Sequence, residues 1–383
     1  MRRSVKLLLS LFLLASWPEA SHAQRASDLV ICKQDSSGEI VLRSRRCRRG
    51  ETRISNFSAL KGDTGAPGAA GANGRDGTNG ADGSLRIYGN GSAGELHITA
   101  NSSITDPNLQ YTNILVDVGV TLYVSSGTIL RCSGTFRNRG TISVYKSGAG
   151  TSSDSNSSTL AVISRNSPAV GYVSRVAMNG EYGTSSQDLV GGAYGSEYDL
   201  ATMRSILRPG PFGGGGGGGT YWSSDGAYGG GSLTVLAAGS LSNEGLIAAD
   251  GDDGYRGTGG AGGGIIILAS KTSVSNTGTI QAKGGKGGDS FSRAAAGGGG
   301  GGGIVHLLAP TITAGTITLS GGAQGSSATA VTNPLRSAGG CGGASGGYGG
   351  YGSDVNSSNS QNGAAPGGAG VSFTTICDPT SLF

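Results

Sequence analysis

Two uninterrupted runs of seven glycines, at 213–219 and 297–303, constrain this chain more than any other feature. A backbone without side chains offers neither the 3.6-residue stripe that a helix buries nor the alternation of a half-buried strand. Each glycine also surrenders more conformational freedom on folding than any other residue. Glycine makes up 76 of the 383 residues, about one in five, where an ordinary domain carries about 7%. With 36% hydrophobic residues and two tryptophans, few large groups remain for a compact, enzyme-like core. The apolar residues are clustered, however, so parts of the chain are expected to fold.

A second glycine pattern is periodic. From Gly62 to Gly83 glycine returns at every third position, as in Gly65-Ala-Pro and Gly74-Arg-Asp. Only glycine fits the crowded axis of a triple helix, so this spacing reads as a collagen-like stalk of about 60–70 Å at roughly 3 Å per residue. Pro67 is the only proline in it, so the triplets are weakly preorganised and trimerisation needs help from flanking segments. A flexible glycine-rich linker in a monomer is the plainer alternative. The segment resembles the collagen-like repeats of secreted bacterial surface proteins, in which Ala, Thr and Asp replace most proline. A homotrimer is expected, because a linker has no reason to keep glycine at every third position.

The segments before the stalk read as an export signal and a basic head. Arg2, Arg3 and Lys6 precede an apolar run from Leu7 to Leu14, and Ser21-His22-Ala23 offers a small-residue cleavage site. Residues 1–23 therefore read as a secretory signal peptide, with a secreted, extracellular or cell-surface protein expected. No later segment approaches a membrane span, and the formal charge of +4 argues against a nucleic-acid partner. Residues 24–61 form the head. Cys32 and Cys47 flank a turn between Leu29-Val30-Ile31 and Ile40-Val41-Leu42, which reads as a disulfide-linked β-hairpin. Arg43, Arg45, Arg46, Arg48 and Arg49 make this head basic. They either meet an anionic envelope or polysaccharide or keep a strand edge from pairing with strangers.

Beyond the stalk the pattern is that of strands. Ile114, Val116, Val118, Val120, Leu122 and Val124 fall on alternate positions and are read as one face of a strand. A unit then recurs: Phe136-Arg-Asn138-Arg-Gly140, Leu241-Ser-Asn243-Glu-Gly245, Val274-Ser-Asn276-Thr-Gly278, and Ile312-Thr-Ala-Gly315. Periods of this length signal a stacked array. The Asn-x-Gly pairs are read as corners that adopt left-handed backbone angles. Ile265-Ile266-Ile267-Leu268 and the run from Ile304 to Leu308 are continuous, which suits strands covered on both faces. Glycine inserts separate the units. Apolar strand, corner and glycine loop together resemble glycine-rich bacterial surface proteins and the tail-fibre adhesins of phages. Packing of the glycine runs as extended helices and disorder are both open at this stage.

The expected fold class is therefore all-β: a short collagen-like triple helix followed by a glycine-rich β-solenoid-like region, assembled as a trimeric fibre. The solenoid-like region is placed at 84–340. A Gly/Ser-rich segment follows at 341–383, closed by a disulfide between Cys341 and Cys377, and Cys132 is expected to be a buried thiol. Neither His97 nor His306 has metal-ligand or triad spacing, so no catalytic residue, metal or cofactor is assigned. Asp250-Gly-Asp252-Asp253 offers carboxylates to Ca²⁺ or, more plainly, to solvent. Tyr221, Trp222, Tyr228, Tyr255, Tyr348 and Tyr351 lie in the glycine-rich loops. Aromatic rings there either contact a ligand, with large area at small entropic cost, or pack down to hold the loops. The expected function is adhesion or recognition of a cell surface or glycan. The rivals are a purely structural envelope or matrix component and a polysaccharide-active β-helix.

Overall fold

The computed structural model describes residues 29–55, 85–104, 108–146, 177, 181–184, 188–192, 197, 199–209, 213–220, 226–332 and 335–383. The signal-peptide and collagen-like readings fall outside these residues. The chain divides into two compact units, 1–78 and 79–383.

In the first unit, strands Leu29–Gln34 and Ile40–Ser44 form the expected antiparallel hairpin, and Glu51–Arg53 pairs with the other side of Leu29–Gln34. Gly38, at φ 74°, supplies the left-handed position in the connecting turn. The Cys32–Cys47 disulfide is present and ties the arginine-rich loop back to the first strand. Arg43 donates to both oxygens of Glu51 at 2.5 and 3.2 Å, while the Arg48 amide donates to the same carboxylate at 2.9 Å. These bonds hold the Glu51 carboxyl down to about 2.

The second unit is organised around three parallel sheets of six strands, which the chain visits in strict rotation. The first sheet contains Leu96–Ile98, Ile114–Val116, Phe136–Asn138, Leu241–Asn243, Ser273–Asn276 and Thr311–Thr313. The second contains Ser102–Ser103, Thr121–Val124, Thr141–Val144, Leu246–Ala248, Thr279–Gln281 and Thr316–Thr318. The third contains Gln110–Tyr111, Thr128–Cys132, Ser232–Ala237, Ile265–Ser270, Ile304–Leu308 and Val371–Thr375. Each circuit adds one strand to each sheet. The recurring sequence unit is thus the passage from the first sheet to the second, with Leu241 beside Val274 and Ile247 beside Ile280.

Inward residues of all three sheets form one core that includes Val116, Leu122, Leu130, Phe136, Ile142, Leu233, Ile247, Ile266 and Ile280. Burying each aliphatic side chain contributes about 1.5–3 kcal/mol. The alternating run from Ile114 to Val124 is not one strand. It turns a corner between two sheets, so Ile114, Val116, Leu122 and Val124 point inward while Val118 is exposed. Cys132 is a fully buried thiol, bonded to the Thr112 and Thr135 carbonyls and pushed upward in pKa by burial.

The third sheet is covered on its outer face too, as the continuous apolar runs predict; every residue of Ser232–Ala237, Ile265–Ser270 and Ile304–Leu308 is buried. Its outer cluster joins Ile265, Ile267, Ile304 and Phe373 to Tyr88, from the short helix Leu85–Tyr88, and to Met203, from Leu200–Ser205. Asp199 caps the latter helix by accepting from the Ala201 and Thr202 amides. His306 lies in the same sheet, 2% exposed, with its Nε2 2.8 Å from Thr375 Oγ1.

Burial and the charge of Arg204 hold the His306 imidazole down to about 4 from its ordinary 6.5. The folded pKa lies below the unfolded one, so the unfolded chain binds the extra proton first. The resulting stability is complete above pH 6.5 and is lost as pH falls through 4, about 3 kcal/mol in all. Thermal melting between pH 7 and 5, a window mostly above carboxylate titration, should show a falling midpoint for the native chain and a flatter profile for His306→Gln. Equal slopes would remove His306 as the cause.

The Asn-x-Gly corners differ from expectation. None of Asn138, Asn243, Asn276, Gly140, Gly245 or Gly278 has a left-handed φ; among these corners only Gly315 does, at 57°. The asparagines instead form a buried ladder. Asn138 Nδ2 donates to Asn243 Oδ1 and Asn243 Nδ2 to Asn276 Oδ1, both at 2.7 Å. The glycines are required by proximity, since a Cβ on Gly245 would lie 1.9 Å from the Gly140 carbonyl oxygen.

All the long inserts leave at one place, between a second-sheet strand and the following third-sheet strand. They build a body of their own from extended segments that hydrogen-bond at intervals of three residues, as a three-residue-per-turn extended helix requires. The outgoing limbs 249–255, 282–290 and 319–327 run in parallel, with Gly251 donating to Lys283 and Gly284 to Ser320. The returning limbs 226–231, 257–264, 294–303 and 363–370 also bond in sequence; Gly260 donates to Gly298, and Gly299 to Ala365. Limbs 213–220, 338–346 and 347–353 cover the other side, through pairs such as Gly259 to Gly218 and Gly301 to Gly343. The returning layer is therefore interior. Segment 294–303 is bonded to limbs on all sides, which accounts for its seven consecutive glycines.

The structure does not join Cys341 to Cys377. Cys341 is buried in the covering layer, where its carbonyl accepts from the Gly218 amide. Cys377 follows strand Val371–Thr375, and its amide donates to Ala309. Pairing of Val371–Thr375 with Ile304–Leu308 closes the segment that the disulfide was expected to close.

Candidate functional site

The far turns of two successive glycine inserts present a compact aromatic and cationic surface. The chain reverses at 256–257 after limb 249–255, and at 292–293 after limb 282–290. Each turn is locked locally. The Tyr255 amide donates to Thr258 Oγ1 at 2.6 Å while the Thr258 amide donates back to the Tyr255 carbonyl, and Phe291 and Ala294 exchange both backbone bonds. Arg256 joins the turns, its guanidinium 4.8 Å from the Tyr255 ring centroid and 4.5 Å from that of Phe291. Tyr255 is 61% exposed and Phe291 44%.

Two features distinguish this from apolar residues left over at the surface. Arg256 is held at φ 46° without being glycine, a conformation costing about 1–2 kcal/mol. Its charge lies against two rings, an arrangement worth about 0.5–1 kcal/mol where exposed. Arg256 thus combines a left-handed backbone with contact to two exposed rings.

The remaining aromatic candidates are distributed. Tyr348 and Tyr351, three residues apart, project from limb 347–353 and are about half exposed, with the Tyr348 ring lying over Gly368. Tyr228 is half-buried and its carbonyl accepts from Asp252. Tyr221 and Trp222 lie outside the described residues. Phe291 and Arg256 were not singled out by the sequence reading. The strands are offset by 33 residues before the two inserts, Ile247 beside Ile280, and by 39 after them, Ile265 beside Ile304, so aligning the inserts on either strand does not set Phe291 against Tyr255.

The acids of limb 249–255 are committed to structure. Asp250 accepts from the Lys283 amide and from Gln281 Nε2, and Asp253 from the Lys286 amide, each bond linking one circuit to the next. Asp252 pairs with Lys146. In the head, Arg43 is paired with Glu51. Arg46, Arg48 and Arg49 line a hollow of about 540 Å³ and make no ion pair among the described residues.

Among the described residues, no helix is long and apolar enough to cross a membrane. No protein-family model, curated protein or solved structure matches this chain.

Proposed function

We propose that the chain is a secreted, non-enzymatic, fibre-like surface protein that recognises a cell surface or a glycan through the turns of its glycine array. In this reading the basic head attaches or seeds assembly, the collagen-like stalk of a homotrimer provides reach, and a β-solenoid carries the recognition surface. The observation that carries it is the exposed Tyr255–Arg256–Phe291 cluster. Aromatic rings and arginine on a rigid support lose little entropy on binding and so make effective anchors. The support is held because the limbs are bonded to one another through their backbones.

Binding of labelled mature protein to cells and immobilised glycans tests this reading. The native chain is expected to bind saturably, and the double variant Tyr255→Ala/Phe291→Ala about tenfold or more weakly. Saturable binding that the double variant retains would move the site elsewhere. Absence of saturable binding by the native chain would instead favour a purely structural role. Sedimentation of the mature protein at micromolar concentration is expected to give three times the chain mass; a monomer would turn the stalk into a linker.

A further inference from the structure

A second polar hollow lies on the outer face of the third sheet, apart from the aromatic turns. Arg131 and Ile129 point outward from Thr128–Cys132, since the alternate residues Leu130 and Cys132 are in the core. Across the ladder, Thr234 stands beside Ile129 and Leu236 beside Arg131. These side chains, with Arg208 and Phe383, line a hollow of about 270 Å³. Pockets for small ligands begin at about 300 Å³, so there is room for one ring and not for a longer chain.

Three observations point to an occupant. Arg131 and Arg208 face the same hollow, and neither guanidinium has a hydrogen bond or ion pair to another described residue. Burial and the charge of Arg208 both push the Arg131 pKa down, as expected for a cation held without its counter-ion. Thr234 is 1% exposed, and its Oγ1 is buried with no hydrogen-bond partner. Such a group costs about 1–3 kcal/mol if nothing satisfies it. The remaining wall is apolar, and Arg208 sits 6.0 Å from the centroid of the Phe383 ring.

We propose that this hollow binds one acidic sugar residue, with its carboxylate or sulfate between Arg131 and Arg208, its C–H face on Leu236 and Phe383, and a ring hydroxyl on Thr234. The anion is required by the paired guanidiniums, the ring by the apolar wall, and the hydroxyl by the unsatisfied threonine. The saccharide assignment rests on the reading of the chain as a glycan-recognising protein; the anion assignment rests on the hollow itself.

The test is calorimetric titration of the mature protein with glucuronate, glucose and inorganic sulfate. Glucuronate is expected to bind at least about tenfold more tightly than either glucose or sulfate, and more weakly as salt rises. Arg131→Met and Arg208→Met should each reduce glucuronate binding about tenfold, and the near-isosteric Thr234→Val a few-fold, with melting temperatures confirming that the variants fold. Glucuronate binding no better than glucose, or unchanged in a folded Arg131→Met/Arg208→Met protein, overturns the proposal. Sulfate binding equal to glucuronate overturns its sugar part. Loss of cell binding in Tyr255→Ala/Phe291→Ala with glucuronate binding intact supports two separate sites. Glucuronate binding by a protein that binds no cell or glycan would reject the recognition reading while leaving the anion site standing.

Discussion

Gly300→Ala is expected to prevent the glycine array from assembling. A Cβ on Gly300 would lie 2.0 Å from the carbonyl oxygen of Ala261 and 2.4 Å from its carbonyl carbon. Both atoms are backbone, so no rotamer change makes room. The limbs must separate, and the bonds from Gly300 to Gly285 and from Gly322 to Gly300, at 2.8 and 2.7 Å, are lost with them. Overpacking an ordinary core costs about 1–3 kcal/mol because side chains yield, and each lost hydrogen bond adds about 1 kcal/mol. The expected loss is therefore at least about 5 kcal/mol, a large part of the 5–15 kcal/mol of a typical domain. Ala323→Ser is the control, since Ala323 is exposed on an outgoing limb and such changes stay within about 0.5 kcal/mol. The two variants should be separated by thermal denaturation and by amide exchange across 294–303. A Gly300→Ala protein that melts within a degree or two of the native chain would show that the limbs are not packed in this way.

The array depends on the sheets for more than attachment. Strands in a sheet follow one another at about 4.8 Å, a distance fixed by backbone hydrogen bonds. Every circuit from the third onward releases its insert at the same place, so successive limbs start in register at that spacing. Chains bearing side chains on all sides cannot stay so close, whereas glycine can. Fixing each glycine costs about 1–2 kcal/mol of backbone entropy, against about 1 kcal/mol net for its hydrogen bond. The limbs alone would not hold together. Joined at both ends to strands with a buried core, they begin with their relative positions already set.

This division explains what could be read directly. The two-sided burial of Ile265–Leu268 and the corner units around Asn243 and Asn276 depend on local pattern, and both were visible. So was the Cys32–Cys47 link, which spans a short turn. Val118 was placed on the same strand face as Ile114 and Val116 because alternation continues through a corner, although the strand itself ends at Val116. The limb arrangement was hidden for a different reason. Identical glycines carry no mark of which neighbour they face, and the register that places Gly300 against Gly285 and Ala261 comes from strands on either side of the insert. Cys341 was paired with Cys377 because no apolar group was available to close their segment; interlimb backbone bonds and a parallel strand provide that closure. At the candidate site Tyr255 was legible as an aromatic in a glycine loop. Its relation to Phe291 through Arg256 required the same insert-to-insert register.

Asn243→Ala is the second change expected to have a large effect. Asn243 is the middle of the buried ladder, accepting from Asn138 Nδ2 and donating to Asn276 Oδ1, with a further bond to the Thr279 carbonyl at 3.2 Å. Asn138 Nδ2 also reaches the Leu246 carbonyl at 3.1 Å, so it retains a partner when Asn243 is truncated. Asn276 Oδ1 and the Thr279 carbonyl lose the Asn243 amide as a donor. Each buried group left wanting costs about 1–3 kcal/mol, and truncation also leaves a cavity. The expected destabilisation is about 3–5 kcal/mol. Because Asn243 and Asn276 share a hydrogen bond, the double variant Asn243→Ala/Asn276→Ala should cost less than the sum of the single variants by about 1 kcal/mol or more. Denaturant titration of the three proteins measures both quantities. Strict additivity, or a single-variant loss below about 1 kcal/mol, would mean that the amides occupy these corners without being coupled through them.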